Sequence, residues 1–227
     1  MKISASFQVA FWLLAWICVV ASADSSLVFP VTAMVVSPTT PVLVDNFEDG
    51  DNQNALGGWW YAYNDSIGSH IYPNPFVVTH NAGNGAQGSN YFAQTTGNLV
   101  SDPVNYQNYV GMGTGLAPLV TTAVDLNQYT GLRLWVRGDG QIYRLKIVSK
   151  NIADRDYNFW GFNYSAPNGS WQQISIPWTS IFQGWSSTPA NQVSRADALA
   201  DARQLEWTPL NPTASFDLRV DYVEFFH

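Results

Sequence analysis

Charge is scarce in this chain. Asp, Glu, Lys and Arg supply 12% of its 227 residues, 17 acidic against 10 basic, for a net charge of −7. That is about half the charged share of an ordinary soluble domain. With aromatics at 15%, it excludes a disordered chain, which needs the opposite balance. The shortage of basic residues and a pI near 4.6 leave no electrostatic footprint for nucleic acid. Cysteine is represented once, at Cys18, so no disulfide framework exists. Histidine is limited to His70, His80 and His227, with no His-Glu-x-x-His or comparable zinc spacing. No Gly-x-Ser-x-Gly elbow occurs, so nucleophilic catalysis has poor support. Repeats, heptads and polytopic hydropathy are absent too. Gly111-x-Gly113-x-Gly115 fails as a dinucleotide fingerprint, because Leu116 holds the sixth position and Pro118 follows. It reads as a flexible turn.

The N-terminus reads as an export signal. Lys2 precedes the apolar run Val9–Val20, too short to span a bilayer, and Ala21-Ser22-Ala23 supplies a peptidase site. The expected organisation is a signal peptide at 1–23, an extended linker at 24–41 rich in Pro and Thr, and one domain at 42–227. The expected location is secreted, periplasmic or extracellular, with no membrane association after cleavage. Cys18 leaves with the signal, so the exported domain must rely on its packed core.

From Val42 onward, short apolar runs alternate with turn residues, as 17 Gly and 12 Pro require. Val42–Phe47, Phe76–Thr79, Tyr91–Gln94, Tyr109–Met112, Leu132–Arg137, Ile142–Ser149, Tyr157–Tyr164, Trp171–Pro177 and Phe216–Phe226 read as strands. The fold class is all-β: a two-sheet antiparallel sandwich with at most one short helix, at Ala196–Arg203 behind a Ser194 cap. Asp139-Gly140 favours a two-residue hairpin, in which Val136 pairs with Tyr143, Leu134 with Leu145 and Leu132 with Ile147. That pairing makes one apolar face and sets Arg133, Trp135 and Arg137 beside Arg144 and Lys146 on the other. Such a face suits a polar ligand with apolar sides, or is simply an indole covered by Arg stems. In the last strand, Phe216, Leu218, Val220 and Tyr222 share the inward side.

Two clusters bear on chemistry. Asp45-Asn46-Phe47-Glu48-Asp49-Gly50-Asp51 gathers four carboxylates in seven residues, the oxygen-rich kind of loop that suits calcium or is simply an acidic turn. Trp59-Trp60-Tyr61-x-Tyr63, Tyr157-x-Phe159-Trp160 and Trp178…Trp185 concentrate rings. Pyranose C–H faces stack on such rings, while flanking polar groups take their hydroxyls. Sandwich cores use the same residues, so part of this set belongs inside.

These residues resemble a family. Asp45–Gly50, Gly57-Gly58-Trp59-Trp60, Tyr109–Leu116, Asp125–Leu132, Leu134–Gly140, Trp171…Trp178 and Val220–Val223 are similar to family 11 carbohydrate-binding modules. Gly131–Leu145 is equally similar to the complex I intermediate-associated protein family, which shares the galactose-binding-like jelly roll. The resemblance implies a jelly roll with a concave glycan-binding face and a structural Ca²⁺ held by Glu48 and Asp221. Its sugar-contacting residues vary, so Trp135, Arg133, Arg144, Tyr157 and Trp160 are nominated, followed by His80, Trp59 and Tyr63. The expected function is non-catalytic binding of a β-glucan-like polysaccharide by a monomer. The alternatives are a protein-binding scaffold of the complex I intermediate-associated type and a small glycoside hydrolase.

Overall fold

The computed structural model describes residues 40–104, 108–153, 158–184, 192–212 and 215–227. The expected signal peptide and most of the expected linker lie outside these residues, as does Tyr157. The strands, in chain order, are β1 (Val42–Asp45), β2 (Trp60–Asn64), β3 (His70–Tyr72), β4 (Thr79–His80), β5 (Tyr91–Asn98), β6 (Val110–Gly115), β7 (Gly131–Gly138), β8 (Ile142–Ser149), β9 (Trp160–Ser165), β10 (Gln172–Pro177), β11 (Phe182–Gln183), β12 (Ala202–Pro209) and β13 (Ser215–Phe226). They form two antiparallel sheets. One runs β10-β7-β13-β5-β3, with β1 also pairing β13 and β4 pairing β5; the other runs β11-β9-β8-β12-β6-β2. This is the two-sheet sandwich the strand pattern predicts. Among the described residues, α-helix is limited to α1 (Lys150–Ala153) and α2 (Arg195–Ala200), beside single 3-10 turns at Ala86–Gly88 and Trp178–Ser180. The Ser194 hydroxyl caps α2 by accepting from the Asp197 N–H at 3.1 Å, and the chain then enters β12 rather than continuing as helix.

The expected hairpin is a corner instead. β7 pairs β10 and β13, whereas β8 pairs β12 and β9. Leu132, Leu134 and Val136 are therefore buried opposite Tyr143, Leu145 and Ile147 from the other sheet. Paired in one sheet, both apolar sets would share a face and still need a cover; divided between sheets, they cover one another. Asp139 stitches the corner, its carboxylate accepting from Tyr143 Oη at 2.9 Å, the Gln141 N–H at 3.0 Å and the Asp217 N–H at 3.1 Å.

The core is aromatic at one end. Trp60 stacks on Trp207 with centroids 5.3 Å apart and on Phe76 at 5.6 Å. Its Nε1 donates to Asp45 Oδ2 at 2.7 Å, so the buried indole N–H has its acceptor. In β13 a register shift between Asp221 and Glu224 breaks the alternation. Val223 and Phe225, rather than Tyr222, continue the buried side, and Tyr222 takes φ 45°. A bulge of this kind re-aims side chains where pairing is interrupted.

Candidate functional site

The outer face of the six-stranded sheet is built by register. Tyr61, Gly113, Glu206, Lys146, Gly161 and Phe182 align in one row across all six strands. The next row holds Tyr63, Gly111, Thr208, Arg144 and Asn163. Gly115 N donates to Trp59 O at 3.2 Å, so period-two alternation puts Trp59, Tyr61 and Tyr63 in a stripe along the sheet edge. The glycines of β6 matter here through what covers them. A Cβ at Gly113 would lie 2.6 Å from the Tyr61 hydroxyl, and one at Gly111 2.7 Å from that of Tyr63. The two rings thus lie across β6. The Gly111–Gly115 run is a paired strand, not the flexible turn its composition suggests.

Glu206 holds those rings. Tyr61 Oη donates to its Oε1 and Tyr63 Oη to its Oε2, both at 3.1 Å. Burial, and after it the Glu206 charge, raises both phenols well above the usual tyrosine range. Tyr109, half exposed, extends the stripe with its centroid 6.3 Å from that of Tyr63. Lys146 Nζ stands 3.8 Å from Glu206 Oε2. At the far side, the Arg144 guanidinium carbon lies 5.1 Å from the Phe159 centroid and 5.3 Å from that of Phe182. Its Nε donates to Asn163 Oδ1 at 2.8 Å. Desolvation holds Arg144 and Lys146 below the usual range of their groups. The face thus has aromatic walls at two edges and a polar centre. Among the described strand positions on it, Glu206 is the one carboxylate, so the paired acids that glycoside hydrolysis uses do not converge there.

Of the residues nominated from sequence, the structure brings Trp59, Tyr63 and Arg144 to this face. Arg133 and Trp135 lie on the outer face of the other sheet, because β7 and β8 belong to different sheets. There Arg133 is paired with Glu224 at 2.6 Å, and the 81–90 loop covers neighbouring Asp221. Trp160 packs toward the core, its Nε1 donating to Val193 O at 3.2 Å. His80 packs at a tilt against Tyr91, centroids 4.5 Å apart, beside the same loop. Tyr61, Tyr109, Lys146, Phe159, Phe182, Asn163 and Glu206 were not nominated. For Tyr61 the signal was present, since it alternates with Trp59 and Tyr63.

Glu48 and Asp221, the expected calcium ligands, are both engaged by donors of this chain. Glu48 accepts the N–H groups of Asn90 at 2.8 Å and Tyr91 at 2.9 Å, and the Asn90 side chain at 3.1 Å. Asp221, fully buried, accepts from Ala86 N at 2.9 Å, Ser89 Oγ at 2.6 Å and Tyr222 N at 2.8 Å. Both carboxylates thus accept from donors, five of the six in the 86–91 segment. No three acidic or histidine side chains converge for a metal among the described residues.

Comparison with known proteins places the chain. At the level of fold, it superposes on the family 11 carbohydrate-binding module of cellulosomal cellulase Lic26A-Cel5E of Clostridium thermocellum with a TM-score of 0.58 and 15% identity, covering 84% of this chain and 96% of that one. The family 30 module of cellulase Cel9D-Cel44B of the same organism gives 0.54 and 11%, covering 82% and 96%. In sequence, it is 30% identical over 172 residues to Endoglucanase 3 of Fibrobacter succinogenes, which covers 72% of this chain and 25% of that protein. The chain therefore spans about a quarter of that relative's length. The family model for Complex I intermediate-associated protein 30 (CIA30) matches residues 80–205, more than half of the sequence, and the chain belongs to that family.

Proposed function

We propose that the outer face of the six-stranded sheet binds a β-glucan-like polysaccharide without cleaving it, and that the protein does so as a secreted monomer. One observation carries this reading: Tyr61 and Tyr63 laid across a glycine strand and held there through Glu206. Rings fixed in this way present broad apolar faces for sugar C–H groups at little entropic cost. Lys146, Asn163 and Arg144 stand ready for hydroxyls. A lone carboxylate already shared by two phenols is a poor general acid, which supports binding over hydrolysis. Support also comes from a family 11 module of C. thermocellum, similar at a TM-score of 0.52 and 13% identity, whose structure contains a β-1,3-1,4-mixed-linked tetrasaccharide, and from the endoglucanase relative. No helix among the described residues is long and apolar enough to cross a membrane.

Affinity electrophoresis in gels of mixed-linkage glucan, xylan and cellulose tests the reading. Retardation is expected, lost in Tyr61→Ala or Tyr63→Ala and kept in Trp135→Ala, whose side chain lies on the opposite face. Absence of retardation in every gel would favour a protein-binding scaffold instead. Release of reducing ends by the purified protein would favour an enzyme.

A further inference from the structure

The far side of the same face carries two cations, Arg144 and Lys146, that have little acidic company among the described residues. Arg144 lies against both Phe159 and Phe182, its one side-chain hydrogen bond running from Nε to the neutral amide of Asn163. Among the described residues no carboxylate reaches its terminal nitrogens. Lys146, two residues along the same strand, also lies 5.4 Å from the Phe159 centroid. Its one acidic neighbour is Glu206 at 3.8 Å, already shared by Tyr61 and Tyr63. Among the described residues, Arg144 thus has no carboxylate partner and Lys146 has one that is already occupied, in a protein whose net charge is −7. Elsewhere on the strands, Arg133 meets Glu224 at 2.6 Å and Arg219 meets Asp217 at 2.8 Å, while Arg137 and Arg203 make no ion pair among the described residues.

The geometry around Arg144 favours a planar anion. Phenyl rings and the Asn163 acceptor fix the guanidinium plane and leave its terminal N–H groups free to grip a carboxylate through two parallel bonds. A depression of about 500 Å³ shares Asn163 with this group and is lined also by Ile142, Leu210 and Asn211, large enough for a side group of a polysaccharide. The tyrosine stripe lies across Glu206 and Lys146 from this spot, so a backbone stacked on the rings could present a substituent to the cations. Resting on the carbohydrate reading above, we infer that Arg144 and Lys146 form an acidic-sugar subsite, which takes the carboxylate of a uronic acid residue on a β-linked polysaccharide.

The test is calorimetric titration of the full chain with xylo-oligosaccharides bearing glucuronic acid side groups, and with the same oligosaccharides after their carboxyls are reduced to alcohols. The acidic form is expected to bind at least about tenfold more tightly at low salt, as a charge-assisted bidentate pair requires. The preference should weaken as salt shortens the reach of the charges. Arg144→Gln should bring the ratio of the two affinities toward one. Lys146→Met, which keeps the stem length and the contact with Phe159, should lower the same ratio even if Arg144→Gln disturbs folding. Equal affinity for the two forms overturns the uronate subsite while leaving glycan binding intact. Binding of neither form, with retardation still seen in mixed-linkage glucan, also overturns the subsite alone. No binding to any glycan overturns the carbohydrate reading itself.

Discussion

Glu206 meets Tyr61 with one oxygen and Tyr63 with the other. Glu206→Gln keeps its size but replaces one acceptor by an amide donor, so one phenol O–H loses its acceptor. Spectrophotometric titration should then show at least one tyrosine ionising at lower pH than in the wild type. Glycan affinity should fall about tenfold as that ring is released, equivalent to losing one hydrogen bond of about 1.4 kcal/mol. An unchanged tyrosine titration would show that Glu206 does not hold the rings. Part of this was legible in the sequence: the alternation of Trp59, Tyr61 and Tyr63 needs no structure to be seen. The meaning of Gly111 and Gly113 was not, since bare backbone there serves rings contributed by a strand about 50 residues earlier. Glu206 was hidden for the same reason, its partners lying 145 and 143 residues away.

At the scale of elements, local patterns identified most strands but not the sheets they join. Asp139-Gly140 looks the same as a hairpin turn or as a corner, and alternation in β7 and β8 fits either. What decides is the cover each apolar face requires, and that is set by the whole sandwich. The misplaced corner is why Arg133 and Trp135 were grouped with Arg144. A second element-level feature is the clasp on the 81–90 loop, anchored by Glu48 and Asp221. Asp221→Ala would strand the Ala86 and Tyr222 N–H groups and the Ser89 hydroxyl, and is expected to cost about 2–4 kcal/mol in urea unfolding. Chelator, by contrast, should leave the melting temperature of the wild type unchanged. A fall of several degrees on chelation would show that these carboxylates hold a metal after all.

For the whole molecule, scarce charge makes the few displaced carboxylates decisive for pH dependence. Asp45 and Asp221 are both pushed up to about 6, chiefly by burial, against the hydrogen bonds from Phe47 and Trp60 in one case and from Ser89, Ala86 and Tyr222 in the other. Each binds its proton more firmly folded than unfolded, where an Asp titrates near 3.9. Their contribution to stability is therefore full below about pH 4 and is lost as pH rises through about 6, by up to about 3 kcal/mol each. Glu48 and Asp65 act in the opposite sense. Burial would raise them, but donors from Tyr91 and Asn90, and from Ser69, Tyr109 and Ile67, outweigh it and hold both below the usual range. Their contribution is present above the ordinary carboxylate pKa and is lost only as pH falls through the lowered values. The two pairs together place the optimum on the acid side of neutrality, near pH 4–5, where approach to the isoelectric point near 4.6 also relieves the self-repulsion of an acidic chain. Urea midpoints should accordingly be higher at about pH 5 than at about pH 7.5. Asp45→Asn, which cannot ionise, should narrow that difference while lowering stability at both pH values, because one of the Phe47 and Trp60 donors loses its acceptor. A midpoint that climbs steadily from pH 4 to 7 would mean that both carboxylates are ionised in the folded protein at little cost.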